Sequence, residues 1–224
     1  MRRATGRVAL NLRAFLARPA VQVAPELLGA TLRVDSGDGT VAVRLTEVEA
    51  YEGPADAASH AFRGPTRRTA VMFGPPGHLY VYLSYGMHWC ANIVCQPAGT
   101  AGAVLLRAAD VVDGVELARR RRPSARTDDE LGRGPARLTK ALGIAGDDDG
   151  MDLLEAASRI GLTLGTATPE VRTGPRVGVS KAAELPWRFW VPSAPSVSSF
   201  RPSPLRRGDP DDHGIAPVPP GRIP

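Results

Sequence analysis

A chain of 224 residues is long enough to bury a core of its own, and 43% hydrophobic residues is the content of an ordinary globular protein. The formal net charge of +5 is carried almost wholly by arginine, since Lys140 and Lys181 are the only lysines. Arginine makes forked contacts to phosphate, so this balance tilts toward a phosphate-rich partner, although modest positive charge also serves solubility. No apolar run reaches membrane-spanning length, and Arg7, Arg13 and Arg18 interrupt the apolar residues where a secretory segment needs continuity. The two cysteines, Cys90 and Cys95, stand at an odd spacing on one predicted strand. They therefore face opposite ways and read as reduced thiols of a cytoplasmic protein. Without a C-x-x-C pair a zinc site is not expected, and we expect neither metal nor cofactor.

In chain order, residues 1–18 are predicted to form a short amphipathic helix around Leu10, Leu12, Phe15 and Leu16, stopped by Pro19. Pro25 suits the first position of a second short helix, Pro25 to Leu28, ended by Gly29. Residues 30–34 read as a strand, and Ser36-Gly37-Asp38-Gly39 as the turn into a long strand, Thr40 to Tyr51. Gly53-Pro54 breaks that strand, and Asp56 caps a short helix through Phe62 that carries His60. A loop rich in Gly, Pro and Arg follows from Gly64 to Gly77, with Arg63, Arg67 and Arg68 clustered in and beside it. His78 to Ser84 and His88 to Gln96 make a hairpin with Tyr85-Gly86-Met87 at its tip. Ala103 to Leu106 is a short apolar strand ending at Arg107. Val115 to Arg122 and Pro135 to Leu142 are helices, the second closed by Gly143. Asp147-Asp148-Asp149 lacks the rest of an EF-hand pattern and reads as a solvated turn. Gly161 to Leu164, Arg176 to Val179 and Trp187 to Val191 are late strands. The expected fold class is α+β: one compact domain over residues 1–191 with mostly antiparallel strands. A Pro-, Ser- and Arg-rich disordered tail is expected over residues 192–224.

The long strand is where chemistry concentrates. Its odd positions read Val41, Val43, Leu45, Glu47, Glu49, Tyr51, so a face that begins as core ends as two carboxylates and a phenol. Carboxylates seldom go inside unless paired or used. Two readings stand level: the strand delivers acids to a site, or it bulges or leaves the core at Glu47 and both acids are solvated. Tyr80 and Tyr82 share one face of the hairpin's first strand, and ordinary cross-strand packing is the commoner role of such tyrosines. Taken with Arg107, these residues describe a pocket for a flat ring beside an activated water. Surface placement of His60 and a satisfied strand amide at Asn92 are the plain alternatives.

The run Leu45-Thr46-Glu47-Val48-Glu49-Ala50-Tyr51-Glu52-Gly53-Pro54, with Asp56 and His60, resembles the alkyladenine (3-methyladenine) DNA glycosylase family. Pro76 through Met87 followed by Asn92, then Val104 to Ala108, Gly134-Pro135 to Leu142, and Arg176 to Val179 continue the resemblance in the same order. It runs from about Phe15 to about Val191. The resemblance implies a single α+β domain with a protruding hairpin, acting in base-excision repair on double-stranded DNA containing damaged purines. It implies that Glu49 activates water as general base, with Arg107 its partner in holding that water. Tyr51, His60 and Tyr82 would sandwich the extruded base, Asn92 would discriminate purines, and Tyr85 would enter the gap the base leaves. Arg63, Arg67 and Arg68 are candidate phosphate contacts. The expected enzyme is a monomeric, cytoplasmic hydrolase (nucleoid-associated in a bacterium) without a lyase step.

Two readings from other classes compete. A non-catalytic nucleic-acid-binding module on the same fold has no use for Glu49, whose charge repels phosphate. A metal-dependent nuclease would draw on Glu47, Glu49, Asp56 and His60 as hard ligands, but nothing in their spacing fixes a geometry.

Overall fold

The computed structural model describes residues 12–165 and 170–200. Residues 12–16 are helical and Pro19 separates them from α1 (Ala20–Leu27). Leu12 and Leu16 are buried in the main core, while the remainder of the helix expected over residues 1–18 lies outside the described residues. Pro25 sits inside α1 rather than opening a separate helix. Its missing N–H removes one bond near the end of a short helix, and the buried stripe Ala20, Val23, Ala24 and Leu27 holds the element to the sheet instead.

The sheet grows from the hairpin of β1 (Thr31–Ser36) and β2 (Gly39–Tyr51), joined through Gly37 and Asp38 as the turn chemistry predicted. β3 (Leu79–Ser84) and β4 (His88–Cys95) form a second hairpin, and β5 (Gly102–Asp113) returns along β2. β6 (Ile160–Thr163), β7 (Arg172–Gly174) and β8 (Arg188–Trp190) complete it. The order is β3-β4-β5-β2-β1-β6, with antiparallel pairing throughout. β2 gives one edge to β5 along its length. It divides the other, β1 taking the first half and β8 pairing with Glu47–Glu49.

α1, α2 (Val115–Arg121) and α3 (Pro135–Leu142) contribute buried residues to one core with β1 and β2. Leu27, Leu32, Leu45, Leu138 and Leu142 are fully enclosed there. Each such side chain contributes roughly 1.5–3 kcal/mol over an exposed one. Pro135 opens α3 and Gly143 closes it in a left-handed conformation (φ 70°), as the sequence predicted. A smaller cluster, Ala61, Met72, Tyr80, Val94, Ala101 and Ala103, packs apart from that core beneath the 57–73 segment.

The alternation along β2 is broken by a bulge. Leu45 pairs with Ala109 and Glu47 with Ala108, which leaves Thr46 as the extra residue. Before it the core takes odd residues, Val41, Val43 and Leu45; after it the core takes even ones, Val48 and Ala50. The partner strand answers in kind. Ala108 pairs with Glu47 and Leu106 with Val48, which leaves Arg107 as the extra residue of β5. The acids therefore do leave the core face where the strand bulges, yet Glu47 and Glu49 are both fully buried. Neither reading of the strand was complete.

Several expectations are corrected. β5 is much longer than Ala103 to Leu106, and Arg107 lies buried in its middle because Glu47 and Glu49 neutralise it there. No helix runs from Asp56 to Phe62; the chain makes a 3-10 turn at Gly53–Ala55 and then irregular turns, although the Asp56 carboxylate, held by Arg176, also accepts the Ala58 N–H at 3.0 Å. Gly53 is required at that corner: its φ is 55°, and a Cβ there would stand 2.2 Å from the Ala101 carbonyl oxygen. Arg176 to Val179 is a loop rather than a strand, β7 lying just before it. The acidic turn is not simply solvated. Asp148 is buried against Arg159, and Asp149 accepts the Val81 N–H at 2.8 Å. The first nine residues of the tail expected from Pro192 are placed against the domain. Ser196 is buried with its hydroxyl 2.8 Å from that of Thr46, and Ser198 binds Glu47, so residues 192–200 pack on the domain. Residues 201–224, where the remainder of that expectation falls, lie outside the described residues.

Candidate active site

Glu47 and Glu49 share the face turned away from the core, but only Glu49 lines a cavity. A cavity of about 660 Å³ lies against the outer face of the sheet. Its walls include Glu49 and Tyr51 from β2, Tyr80 and Tyr82 from β3, Cys90 and Asn92 from β4, and Leu105 and Arg107 from β5. The loops 57–60 and 177–181 and the hairpin tip at Tyr85 form its rim.

Glu49 Oε1 accepts the Val177 N–H at 2.7 Å and has Arg107 Nη1 at 3.4 Å; Oε2 accepts the Tyr51 hydroxyl at 2.9 Å. Glu47 lies outside the cavity lining and is saturated. Its Oε1 takes Arg107 Nε at 2.9 Å, Arg188 Nε at 2.7 Å and the Ser198 hydroxyl at 2.9 Å, while Oε2 takes the Ser198 N–H at 2.7 Å. These environments drive the two acids apart. Burial alone would raise Glu47, but Arg107, Arg188 and the Ser198 N–H outweigh it and hold the carboxyl below the usual range. At Glu49 burial wins over Arg107, the Val177 N–H and Tyr51, and the carboxyl sits above the usual range. Arg107 is itself raised, against the pull of burial, because it draws on both carboxylates, whereas Glu49 shares its one close arginine with Glu47. Arg107 favours the ionised form of Glu49, but desolvation exceeds it.

The aromatics form one wall. Tyr80 and Tyr82 stack with centroids 5.5 Å apart, and His60 meets Tyr82 edge-on at 4.5 Å. His60 Nδ1 lies 3.1 Å from the Tyr80 hydroxyl. The residue as a whole is exposed at the cavity mouth, yet burial of the ring and then the Arg68 guanidinium push its pKa down to about 4, so the imidazole is neutral at physiological pH. Burial likewise raises Tyr51 and Tyr82, and both stay phenols. Asn92 Nδ2 donates to the Tyr80 carbonyl at 3.1 Å while the residue lines the cavity, so the satisfied amide and the pocket residue are the same side chain.

Tyr85 stands at the hairpin tip, 87% exposed, with Met87 beside it at 71%. Tyr85 has φ 49° and Gly86 φ 68°, and the Met87 N–H closes the turn on the Ser84 carbonyl at 3.0 Å. A left-handed aromatic residue costs about 1–2 kcal/mol, and this one recovers nothing by burial. Arg63, Arg67 and Arg68 are all exposed, but they divide. Arg68 lines the cavity with its guanidinium 5.3 Å above the Tyr82 ring, whereas Arg63 and Arg67 do not line it. Lys181 is exposed on the rim. Among the described residues no group of His, Cys, Asp and Glu is placed to hold a metal ion. Glu47 and Asp56, two of the four hard ligands weighed from sequence, are each consumed by arginine.

The family model for Methylpurine-DNA glycosylase (MPG) matches residues 14–195. The chain belongs to the methylpurine-DNA glycosylase family. A protein of Leifsonia xyli subsp. xyli, provisionally named a 3-methyladenine DNA glycosylase, is 56% identical over 87% of this chain and 94% of its own length. Similar proteins with the same provisional name occur in Nocardia farcinica, 58% identical over 83% of this chain and 89% of its own, and in Streptomyces avermitilis, 52% identical over 87% and 93%. The matched span of the methylpurine-DNA glycosylase family includes Ser193, Ala194 and Pro195, in keeping with the packed segment that follows Pro192.

For a glycosylase of this family the structure brings Glu49, Arg107, Tyr51, His60, Tyr82, Asn92 and Tyr85 to one cavity and its rim. Sequence reasoning passed over Val177, whose amide binds Glu49, since a backbone donor leaves no mark in residue type. It placed Tyr80 beside Tyr82 in the expected pocket without giving it a role of its own, and it passed over Arg188, whose place beside Glu47 follows only from the pairing of β8 with β2.

Proposed function

We propose that this glycosylase hydrolyses the N-glycosidic bond of an alkylated (or deaminated) purine flipped out of duplex DNA, with Glu49 activating the water. The observation that carries this reading is the contrast between the two buried acids: Glu49 opens on the cavity with its pKa raised, and Glu47 is closed off by four donors. A general base works best with a pKa near the operating pH, so burial of Glu49 strengthens it as a proton acceptor. Arg107, fixed by Glu47 through Nε, presents Nη1 toward the Glu49 carboxylate and any water held there.

A base inside a duplex is out of reach and must be extruded, at a cost of a few kcal/mol. Tyr85, exposed at the hairpin tip, suits insertion into the vacated stack. Tyr51, Tyr82 and His60 would flank the extruded ring, and phenol faces attract the positive charge of an N-alkylated purine. Such a purine leaves readily, so one carboxylate suffices. The glycosylase is monofunctional on this reading. A lyase step needs a desolvated, deprotonated amine. Lys181 is nearer the site than its sequence position implied, but it stands in solvent on the rim.

The fold gives no reason to prefer a mere binding module, because a buried carboxylate lining the cavity opposes phosphate and offers nothing in return. The deciding experiment is release of free base from duplexes carrying 3-methyladenine, 7-methylguanine, hypoxanthine or ethenoadenine, with Glu49→Gln alongside. Absence of release from every one of these duplexes under single-turnover conditions would defeat the proposal.

A further inference from the structure

Arg176 is the largest fully buried side chain among the described residues, and the proposed chemistry does not touch it. Its guanidinium grips Asp56 with Nη1 at 2.5 Å from Oδ2 and Nη2 at 2.9 Å from Oδ1. Nη1 also donates to the Ala50 carbonyl at 3.0 Å and Nη2 to the Ala182 carbonyl at 3.3 Å. The same plane lies 4.6 Å from the centroid of the Tyr51 ring and 5.2 Å from that of Trp187. A buried ion pair is a poor source of net stability, since desolvation of both ions opposes it. Its use is better sought in what it fixes.

It fixes both uncharged donors of Glu49. The residue after Arg176 is Val177, whose N–H meets Oε1, and the ring under Arg176 is Tyr51, whose hydroxyl meets Oε2. Resting on the reading of Glu49 as the base, we propose that Arg176, clamped by Asp56, is a positioning residue that holds the Val177 amide and the Tyr51 phenol against the two oxygens of the Glu49 carboxylate. The loop 175–179 has no strand pairing of its own to do this. The clamp ties it across the sheet end to the Gly53–Asp56 corner, and Ala50 between the two active-site residues of β2 receives the third bond.

The charged and titratable groups facing Glu49 are Glu47 and Tyr51 on its own strand, Arg107 on β5, Tyr82 on β3, Cys90 on β4 and Arg176 in the loop. Of these interactions, the Val177 and Tyr51 hydrogen bonds lower its pKa and depend on the clamp. Loosening the clamp therefore moves Glu49 further up and displaces the carboxylate.

The test is the single-turnover pH–rate profile on a duplex carrying 7-methylguanine, for wild type, Arg176→Lys and Asp56→Asn. The expected result is a rate at neutral pH lower by about 10–100-fold, the scale of a misplacement of about 1 Å. The acid limb should move to higher pH, while affinity for an abasic-site duplex is unchanged. A purely structural pair would reduce the active fraction without moving the limb, and an unmoved limb in folded protein overturns the proposal. So does unfolding of both variants at the assay temperature, which would assign the pair to the fold alone. In a Glu49→Gln background Arg176→Lys should add no further loss; losses that multiply show a route independent of Glu49 and also overturn it. Failure of the underlying reading looks different: Glu49→Gln would keep wild-type activity whatever happens at Arg176.

Discussion

Replacing each acid by its amide separates catalysis from stability. In Glu49→Gln the side-chain oxygen can still accept the Val177 N–H, the amide nitrogen can meet the Tyr51 hydroxyl, and Arg107 keeps Glu47. The fold loses little. Glu49 is raised in the folded protein, so the native state holds its proton more tightly than the unfolded chain does. Its contribution to stability therefore falls as pH rises from the ordinary glutamate range through the raised folded value. Removing the charge removes that penalty, and Glu49→Gln should melt at or above the wild-type temperature near pH 7. Its excision rate should drop by roughly 10²–10⁴, the scale of lost general-base catalysis. Glu47→Gln should do the reverse. The folded pKa of Glu47 is lowered, so the stability it brings is present above the ordinary glutamate range and disappears as pH falls through the folded value. Its amide leaves Arg107 and Arg188 buried without their shared counter-charge. Breaking such a pair costs about 3–5 kcal/mol, and the retained oxygen of glutamine places the loss near the low end. At about 2–4 °C per kcal/mol for a chain of this size, the melt should fall by roughly 6–12 °C. Thermal denaturation at pH 7 and single-turnover excision of 7-methylguanine, run below both melts, measure the two effects. A stably folded, inactive Glu47→Gln beside an active Glu49→Gln would refute the assignment.

The remaining expectations concern the DNA. Tyr85→Ala should leave the melt unchanged and weaken binding to an abasic-site duplex by about 1–3 kcal/mol, the value of one missing stacking partner; unchanged affinity counts against insertion. Alanine at Arg63, Arg67 and Arg68 together should reduce the log–log salt slope of binding by about 0.9 for each phosphate left without its arginine, and a wild-type slope would place the phosphate-binding arginines elsewhere. Arg68→Ala alone should alter excision more than the slope, since Arg68 covers Tyr82 in the cavity. Borohydride treatment during turnover should trap no covalent adduct; an adduct abolished by Lys181→Ala would reveal a lyase step at the cavity rim.

Much of this architecture was legible because local chemistry dictated it. Gly37-Asp38 fixed a hairpin, Pro135 and Gly143 bracketed a helix, and the alternation of Leu79 to Ser84 marked a strand whose tyrosines share a wall. What stayed hidden was long-range. Alternation along Gly39–Tyr51 is read one residue at a time and cannot show that Thr46 is an extra residue, because the bulge is defined against β5. Arg107, which reads as the end of a short apolar strand, is the extra residue of a second irregularity in the middle of a long one. Asp56 does accept the Ala58 N–H, but nothing local signals that Arg176, far along the chain, also binds its carboxylate. Pro- and Ser-rich composition after Pro192 suggested disorder, but Ser196 and Ser198 bind Thr46 and Glu47, and Arg133 and Arg188 hold the Pro195 and Ser198 carbonyls.

The hidden features act together on a single quantity, the proton affinity of Glu49. An arginine facing one buried carboxylate would depress it and leave a weak base. Here Arg107 is already engaged through Nε by Glu47, at 2.9 Å, before it reaches Glu49 at 3.4 Å. Glu47 in turn is kept ionised by Arg107 itself and then by Arg188 and Ser198, the last two outside the cavity lining. The supporting acid thus shares the arginine's charge with Glu49. The catalytic candidate keeps enough attraction to be oriented, while burial still holds its pKa up. Ser198 reaches Glu47 only because the segment after β8 folds back across the bulge at Thr46. A chain ending at Pro192 should therefore lose more than stability: with Glu47 less firmly ionised, Arg107 turns more fully to Glu49, and the acid limb of excision moves down in pH as the rate at neutral pH falls.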